Sequence, residues 1–162
     1  MGVSGTGKST LGSLLAARLG RPFLEGDEYH PAANVALMAA GIPLTDDDRR
    51  PWLDALVAAM AAHDEAGRST VVACSALRRA YRDRLRAAPG RIRFLLVDVP
   101  ADELARRTAA RVHPYMPASL LGSQLATLEP LAADEDGVVL RSSAPPAEQA
   151  DEALRLLGEA AG

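Results

Sequence analysis

Residues 2–9 read Gly-Val-Ser-Gly-Thr-Gly-Lys-Ser, the G-x-x-x-x-G-K-[ST] spacing that wraps backbone around phosphate. Gly2, Gly5 and Gly7 permit tight turns that bring N–H groups against phosphate oxygens. Val3, Ser4, Thr6 and Thr10 complete the nucleotide cradle. A helix opening at this point aims its positive end at the same anion. Lys8 is then a catalytic cation on the terminal phosphates of ATP, and Ser9 offers a hydroxyl to Mg²⁺. Composition singles out the same residue: seventeen of the eighteen basic residues are Arg, and Lys8 is the lone Lys.

A second constellation suits a hydroxyl acceptor. Phe23-Leu24-Glu25-Gly26-Asp27 ends a short strand at the edge where α/β proteins bind ligands. Asp27 is placed to hold an acceptor hydroxyl and take its proton, and His30 adds a hydrogen bond. Arg49 can clamp a carboxylate with two parallel bonds. Beyond the strand at Val71, Ser75, Arg78 and Arg82 suit an anionic, hydroxyl-rich ligand. Arg78 and Arg82, four apart, read as one helix face. Arg107 and Arg111 read as mobile cations beside a lid at about 112–117, where Pro114 and Pro117 preclude regular helix. Ser123-Gln124 has no independent chemical rationale.

These residues need elements to carry them. Apolar spacing predicts helices over 9–19, 32–40, 47–66, 79–87, 101–111, 118–128 and 147–160. Strands are predicted over 22–25, 70–74, 92–97 and 138–140. Thr45 or Asp46 is the expected cap of the long helix. Cys74 and Trp52 read as packing residues. The alternation implies an α/β fold with a parallel sheet flanked by helices. A phosphate loop normally follows a buried strand, and almost nothing precedes Gly2. The first strand is therefore expected to be truncated, with the natural chain starting upstream.

The 162 residues fit one domain spanning 1–162, and 48% hydrophobic content supplies a core. A formal net charge of −3 disfavours nucleic acid held by bulk electrostatics. The longest apolar runs fall short of a membrane span, and no leader opens the sequence. One cysteine forms no internal disulfide, in keeping with a cytoplasmic protein.

Together these segments resemble the gluconate kinase family of P-loop sugar-acid kinases. The resemblance rests on GVSGTGKST at 2–10, FLEGDEYHPAANVALMAAGIPLTDDDRRPWL at 23–53, CSALRRAYRDRLR at 74–86 and MPASLLGSQLATLEPL at 116–131. It implies a nucleoside-monophosphate-kinase-like P-loop fold with a short lid, and ATP- and Mg²⁺-dependent phosphorylation of D-gluconate to 6-phospho-D-gluconate. It also implies a place in the pentose phosphate pathway and a homodimer. Arg78 stands where the family carries Lys, and His113-Pro114-Tyr115 replaces a Gly-His-Phe type lid sequence. Two other readings remain at this stage: a shikimate-kinase-like small-molecule kinase, and a non-catalytic nucleotide-binding module.

Overall fold

Glycine sets both ends of the first helix. In the computed structural model, which describes residues 1–109 and 121–160, α1 spans Lys8–Leu19 between two left-handed glycines, Gly7 at φ 91° and Gly20 at φ 60°. Leu11 and Leu15 face the core. Gly12 lies where a side chain would strike the Phe23 ring, so its missing Cβ lets β1 (Phe23–Glu25) pack against α1.

A 3-10 turn at Gly26–Tyr29 leads from β1 to α2 (Ala32–Ala39) and then α3 (Asp46–Glu65). Thr45 caps α3 and Asp48 answers it, a reciprocal capping box. Next come β2 (Val71–Ala73), α4 (Arg79–Leu85), β3 (Phe94–Asp98), α5 (Ala101–Ala109), α6 (Leu121–Thr127), β4 (Gly137–Arg141) and α7 (Pro146–Leu157). The predicted helices and strands therefore recur, with ends shifted by a few residues. The proposed lid at 112–117 lies outside the described residues. No helix among those described is long and apolar enough to cross a membrane.

The expected parallel sheet is present in two halves. β1 pairs with β2 in parallel, Leu24 opposite Val72. β3 pairs with β4 in parallel, Leu96 opposite Val139. At one end, residues 1 and 2 bridge the halves. The Met1 amine donates to the Leu95 carbonyl at 2.6 Å, Val97 N–H donates to the Met1 carbonyl at 2.9 Å, and Gly2 N–H donates to the Ser75 carbonyl at 3.1 Å. Below that bridge β2 and β3 flank a cavity of about 410 Å³, lined by Met1, Leu15, Met60, Val72, Phe94 and Leu95 among others. One buried cluster joins Val3, Leu11, Leu77, Val97, Leu140 and Leu154. A second joins Trp52, Leu56, Tyr81, Leu85 and Phe94 under the acceptor-side loops.

Candidate active site

The loop over residues 2–9 is held from within. Val3 is buried, and its carbonyl accepts from Thr6 Oγ1 at 3.0 Å and from Lys8 Nζ at 2.9 Å. Gly2, Gly5 and Gly7 carry φ values of 136°, 85° and 91°, where a Cβ would strain the backbone. A side chain at Gly2 would also meet the Val97 carbonyl at 2.8 Å. Ser9 and Thr10 are exposed at the start of α1. Burial pushes the Lys8 amine below the usual lysine range, and the Asp27 carboxylate pulls it back up. The cation and the candidate acceptor-side base thus feel one another across the loop.

Asp27 sits in the 3-10 turn after β1, half-buried. The turn is fixed from below: Trp52 Nε1 donates to the Gly26 carbonyl at 2.7 Å. A Cβ on Gly26 would collide with the Ala73 carbonyl, so only glycine lets the turn lie this close to β2. His30 stacks on Trp52 with ring centroids 4.3 Å apart and planes 11° apart. Burial drives the His30 pKa down to about 4, against the pull of Asp27. At neutral pH it is an uncharged imidazole. Trp52, read as packing, also positions both of these site residues.

The basic residues divide. The Arg49 guanidinium lies 5.5 Å from the centre of the Tyr81 ring and that of Arg78 lies 6.0 Å from it. Arg49 donates to the Leu44 carbonyl at 3.1 Å, and its buried Nε has no partner. Arg78 bonds Asp46 at 2.6 Å, and Tyr81 Oη donates to the other oxygen of the same carboxylate. Two cations therefore flank one phenol ring, a geometry suited to an organic carboxylate.

Arg82 corrects the sequence reading. It is fully buried and does not share a surface with Arg78, which caps α4 in an extended conformation. Its Nε and Nη2 donate to Glu135 at 2.6 and 2.7 Å. The remaining N–H groups face the carbonyls of Ala76, Leu77, Glu129 and Pro130 at 3.2–3.4 Å. No donor is left for a substrate.

Ser75 borders the phosphate loop, its carbonyl accepting from Gly2. The next residue, Ala76, has φ 42°, the one positive value among described non-glycine residues. Arg107 pairs with Glu103 on its own helix at 2.8 Å. Arg111 lies outside the described residues.

Three contributors went unread in the sequence: Tyr81, Asp46 and Gln124. Tyr81 lies inside the 74–86 segment, but nothing local marks it as the ring between two arginines. Asp46 reads in the sequence only as a candidate cap of the long helix. Gln124 Oε1 accepts from Ser4 N–H in the phosphate loop at 2.7 Å, across 120 residues of chain.

Among the described residues no cluster of His, Cys, Asp or Glu could hold a metal ion. Mg²⁺ in phosphoryl-transfer sites is commonly held by one or two protein groups together with substrate phosphates. The exposed Ser9 hydroxyl at the start of α1 is the protein group suited to it.

Residues 1–131 match a protein family described as an AAA domain. A gluconokinase of Gluconobacter oxydans is 51% identical over 135 residues, 83% of this chain and 76% of that protein. The structure of a sugar kinase from Janibacter sp. superposes with a TM-score of 0.92 at 49% identity, covering 98% of this chain and 91% of the other. A gluconokinase structure from Sinorhizobium meliloti superposes at 0.84 with 45% identity, covering 98% and 89%. The fold is that of a P-loop kinase, with parallel strands flanked by helices.

Proposed function

This chain belongs to the gluconokinase family, and from that premise we propose that it transfers the terminal phosphoryl group of ATP to D-gluconate, giving 6-phospho-D-gluconate. The observation that carries the reading is the meeting of two half-sites. A phosphate loop with its lysine intact lies within electrostatic reach of Asp27. The Arg49–Tyr81–Arg78 group lies on the acceptor side.

The loop amides and Lys8 bind the phosphates, and α1 adds its positive end. Ser9 would hold Mg²⁺, which would supply charge neutralisation on the phosphates. Arg49 and Arg78 hold the gluconate carboxylate; Arg78 changes partner from Asp46 to do so. Asp27 orients the terminal hydroxyl toward the γ-phosphorus and accepts its proton. His30, neutral and stacked, hydrogen-bonds the polyol. Arg107 and Arg111 approach the phosphates when the site closes, Arg107 leaving Glu103. The protein works in the cytoplasm as a homodimer, and its product feeds the pentose phosphate pathway.

The test is ATP consumption by the purified chain with D-gluconate, shikimate or no acceptor, in the presence of Mg²⁺. Turnover above a slow acceptor-free background is expected with gluconate alone. Equal rates with and without gluconate would defeat the reading. Sedimentation of the same sample, with and without ligands, checks the dimer.

A further inference from the structure

The segment from Leu121 to Leu131 touches both sides of the reaction. At its start, on α6, Gln124 Oε1 accepts from Ser4 N–H at 2.7 Å. At its end, Glu129 N–H donates to the Leu77 carbonyl at 2.8 Å, and the Glu129 carboxylate accepts from Arg79 N–H at 2.5 Å. Leu77 and Arg79 bracket Arg78, the residue proposed for the acceptor's carboxylate. Between these ends Thr127 Oγ1 donates to the Ser123 carbonyl at 2.7 Å and tightens the last turn of α6. One short helix and the residues just after it therefore tie the phosphate loop to the acceptor loop.

The tie falls where the loop needs it. Gly2 and Gly5, at φ 136° and 85°, flank Val3 and Ser4, and glycines leave a peptide free to rotate. Val3 is fixed through its carbonyl by Thr6 and Lys8. The Ser4 N–H, on the other side of the same peptide unit, is fixed by Gln124. Without that bond the peptide is held from one side.

We propose that Gln124 is a positioning residue for phosphoryl transfer, fixing the Val3–Ser4 peptide and registering the phosphate loop against the acceptor loop through α6. The proposal rests on the kinase reading above. A misplacement of about 1 Å between reacting groups can cost on the order of 10²-fold in rate. The effect therefore belongs in kcat, with both KM values little changed.

Gln124→Leu keeps the volume and removes the acceptor oxygen. With D-gluconate and ATP it is expected to lower kcat by roughly 10- to 100-fold. KM for each substrate should stay within about threefold of wild type. Hydrogen exchange at Ser4 N–H should speed up, with Tm nearly unchanged. Gln124→Glu restores an acceptor oxygen and should restore Ser4 protection and most of kcat at saturating ATP. Unchanged kcat in Gln124→Leu despite faster Ser4 exchange would overturn the proposal. So would a loss confined to KM for ATP, or a kcat loss matched by a fall in Tm that Glu does not rescue. If the Leu variant does not fold, Gln124→Asn, too short to reach Ser4, takes its place with the same expectations. Acceptor-free ATP hydrolysis is read in every variant and should fall likewise. Wild-type silence toward gluconate then tells against the substrate reading alone.

Discussion

Lys8 and Asp27 gain their proposed roles from where each is held, since neither residue type is special by itself. The Lys8 amine rests on the Val3 carbonyl, loses solvation to burial, and regains part of its basicity from Asp27. Lys8→Ala should lower kcat by about 10²–10³-fold, the effect of removing one preorganised charge partner. Asp27→Asn should lower it by about 10²–10⁴-fold if the carboxylate takes the proton. Steady-state kinetics on both, with circular dichroism as a folding control, checks this. His30 gives a sharper residue-scale prediction. Its pKa is about 4 because burial on Trp52 disfavours the cation. NMR titration should show the His30 ring protonating near pH 4. A midpoint near the ordinary 6.5 would contradict the stacked, buried placement. The sign follows for stability. The folded pKa lies below the unfolded one, so this contribution is complete above about pH 6.5 and is lost as pH falls toward 4. The phosphate loop and Asp27 were legible in the sequence because they are contiguous and their glycines have a mechanical reason. The stack of His30 on Trp52 was not, because it joins residues on two elements.

Helices and strands were legible from periodicity and punctuation: Gly20 ends α1, and Thr45 with Asp48 opens α3. What periodicity misassigned was one face of α4. Spacing four apart put Arg78 and Arg82 together, yet Arg78 precedes the helix and Arg82 turns into the protein. The partner that decides this, Glu135, lies 53 residues away, beyond any local pattern. Arg82 holds the Glu135 carboxyl down to about pKa 2. That stabilisation is present above the unfolded carboxyl value near 4.5 and is lost as pH falls toward 2. Arg86 also reaches Glu135 at 3.2 Å and Arg79 pairs with Asp134 at 2.8 Å, so α4 and its C-cap are fastened to the loop before β4 by three cations. Glu135→Gln leaves Arg82 buried without its counter-charge and should destabilise the fold by about 3–5 kcal/mol. Arg82→Met with Glu135→Leu should cost much less, since the pair is then replaced by apolar volume. Urea denaturation of the two variants separates these outcomes. Equal losses would mean that the pair acts only by filling space.

At the scale of the whole molecule, backbone hydrogen bonds of residues 1 and 2 join the two half-sheets at one end. Alternation along the strands defines what their facing edges present. Phe94 N–H turns to Asp136 beside β4, and Val97 N–H turns to Met1, so the Leu95 N–H also faces the gap between the half-sheets. On β2, Val71 N–H turns to Pro22, so Val72 faces the gap from the other side. The cavity between them is lined by apolar side chains of α1, α3 and both strands, with charged residues such as Arg21, Asp64, Arg68 and Arg93 also in its lining. At its upper end the Met1 amine is buried, and its pKa falls to about 5. An engineered extension of five Val and Ile residues joined ahead of Met1 would run parallel to both edges, pair with Leu95 and Val72, and replace that amine with an amide. Strands buried on both faces favour such apolar runs. Burial contributes about 1.5–3 kcal/mol per large side chain, against about 1–2 kcal/mol of backbone entropy for each residue ordered. The net gain for five residues is then about 2.5–5 kcal/mol, or roughly 5–20 °C in Tm for a chain of this size. Calorimetry should also show a second effect. The buried amine makes the unextended chain lose stability as pH falls from about 8 toward 5, and the extension should remove that part of the slope. A control extension with Pro at its centre lacks one ladder donor and should give a clearly smaller rise. Equal Tm values for the two extensions would mean that the added residues fill volume without pairing, and that the half-sheets do not act as the two edges of one sheet.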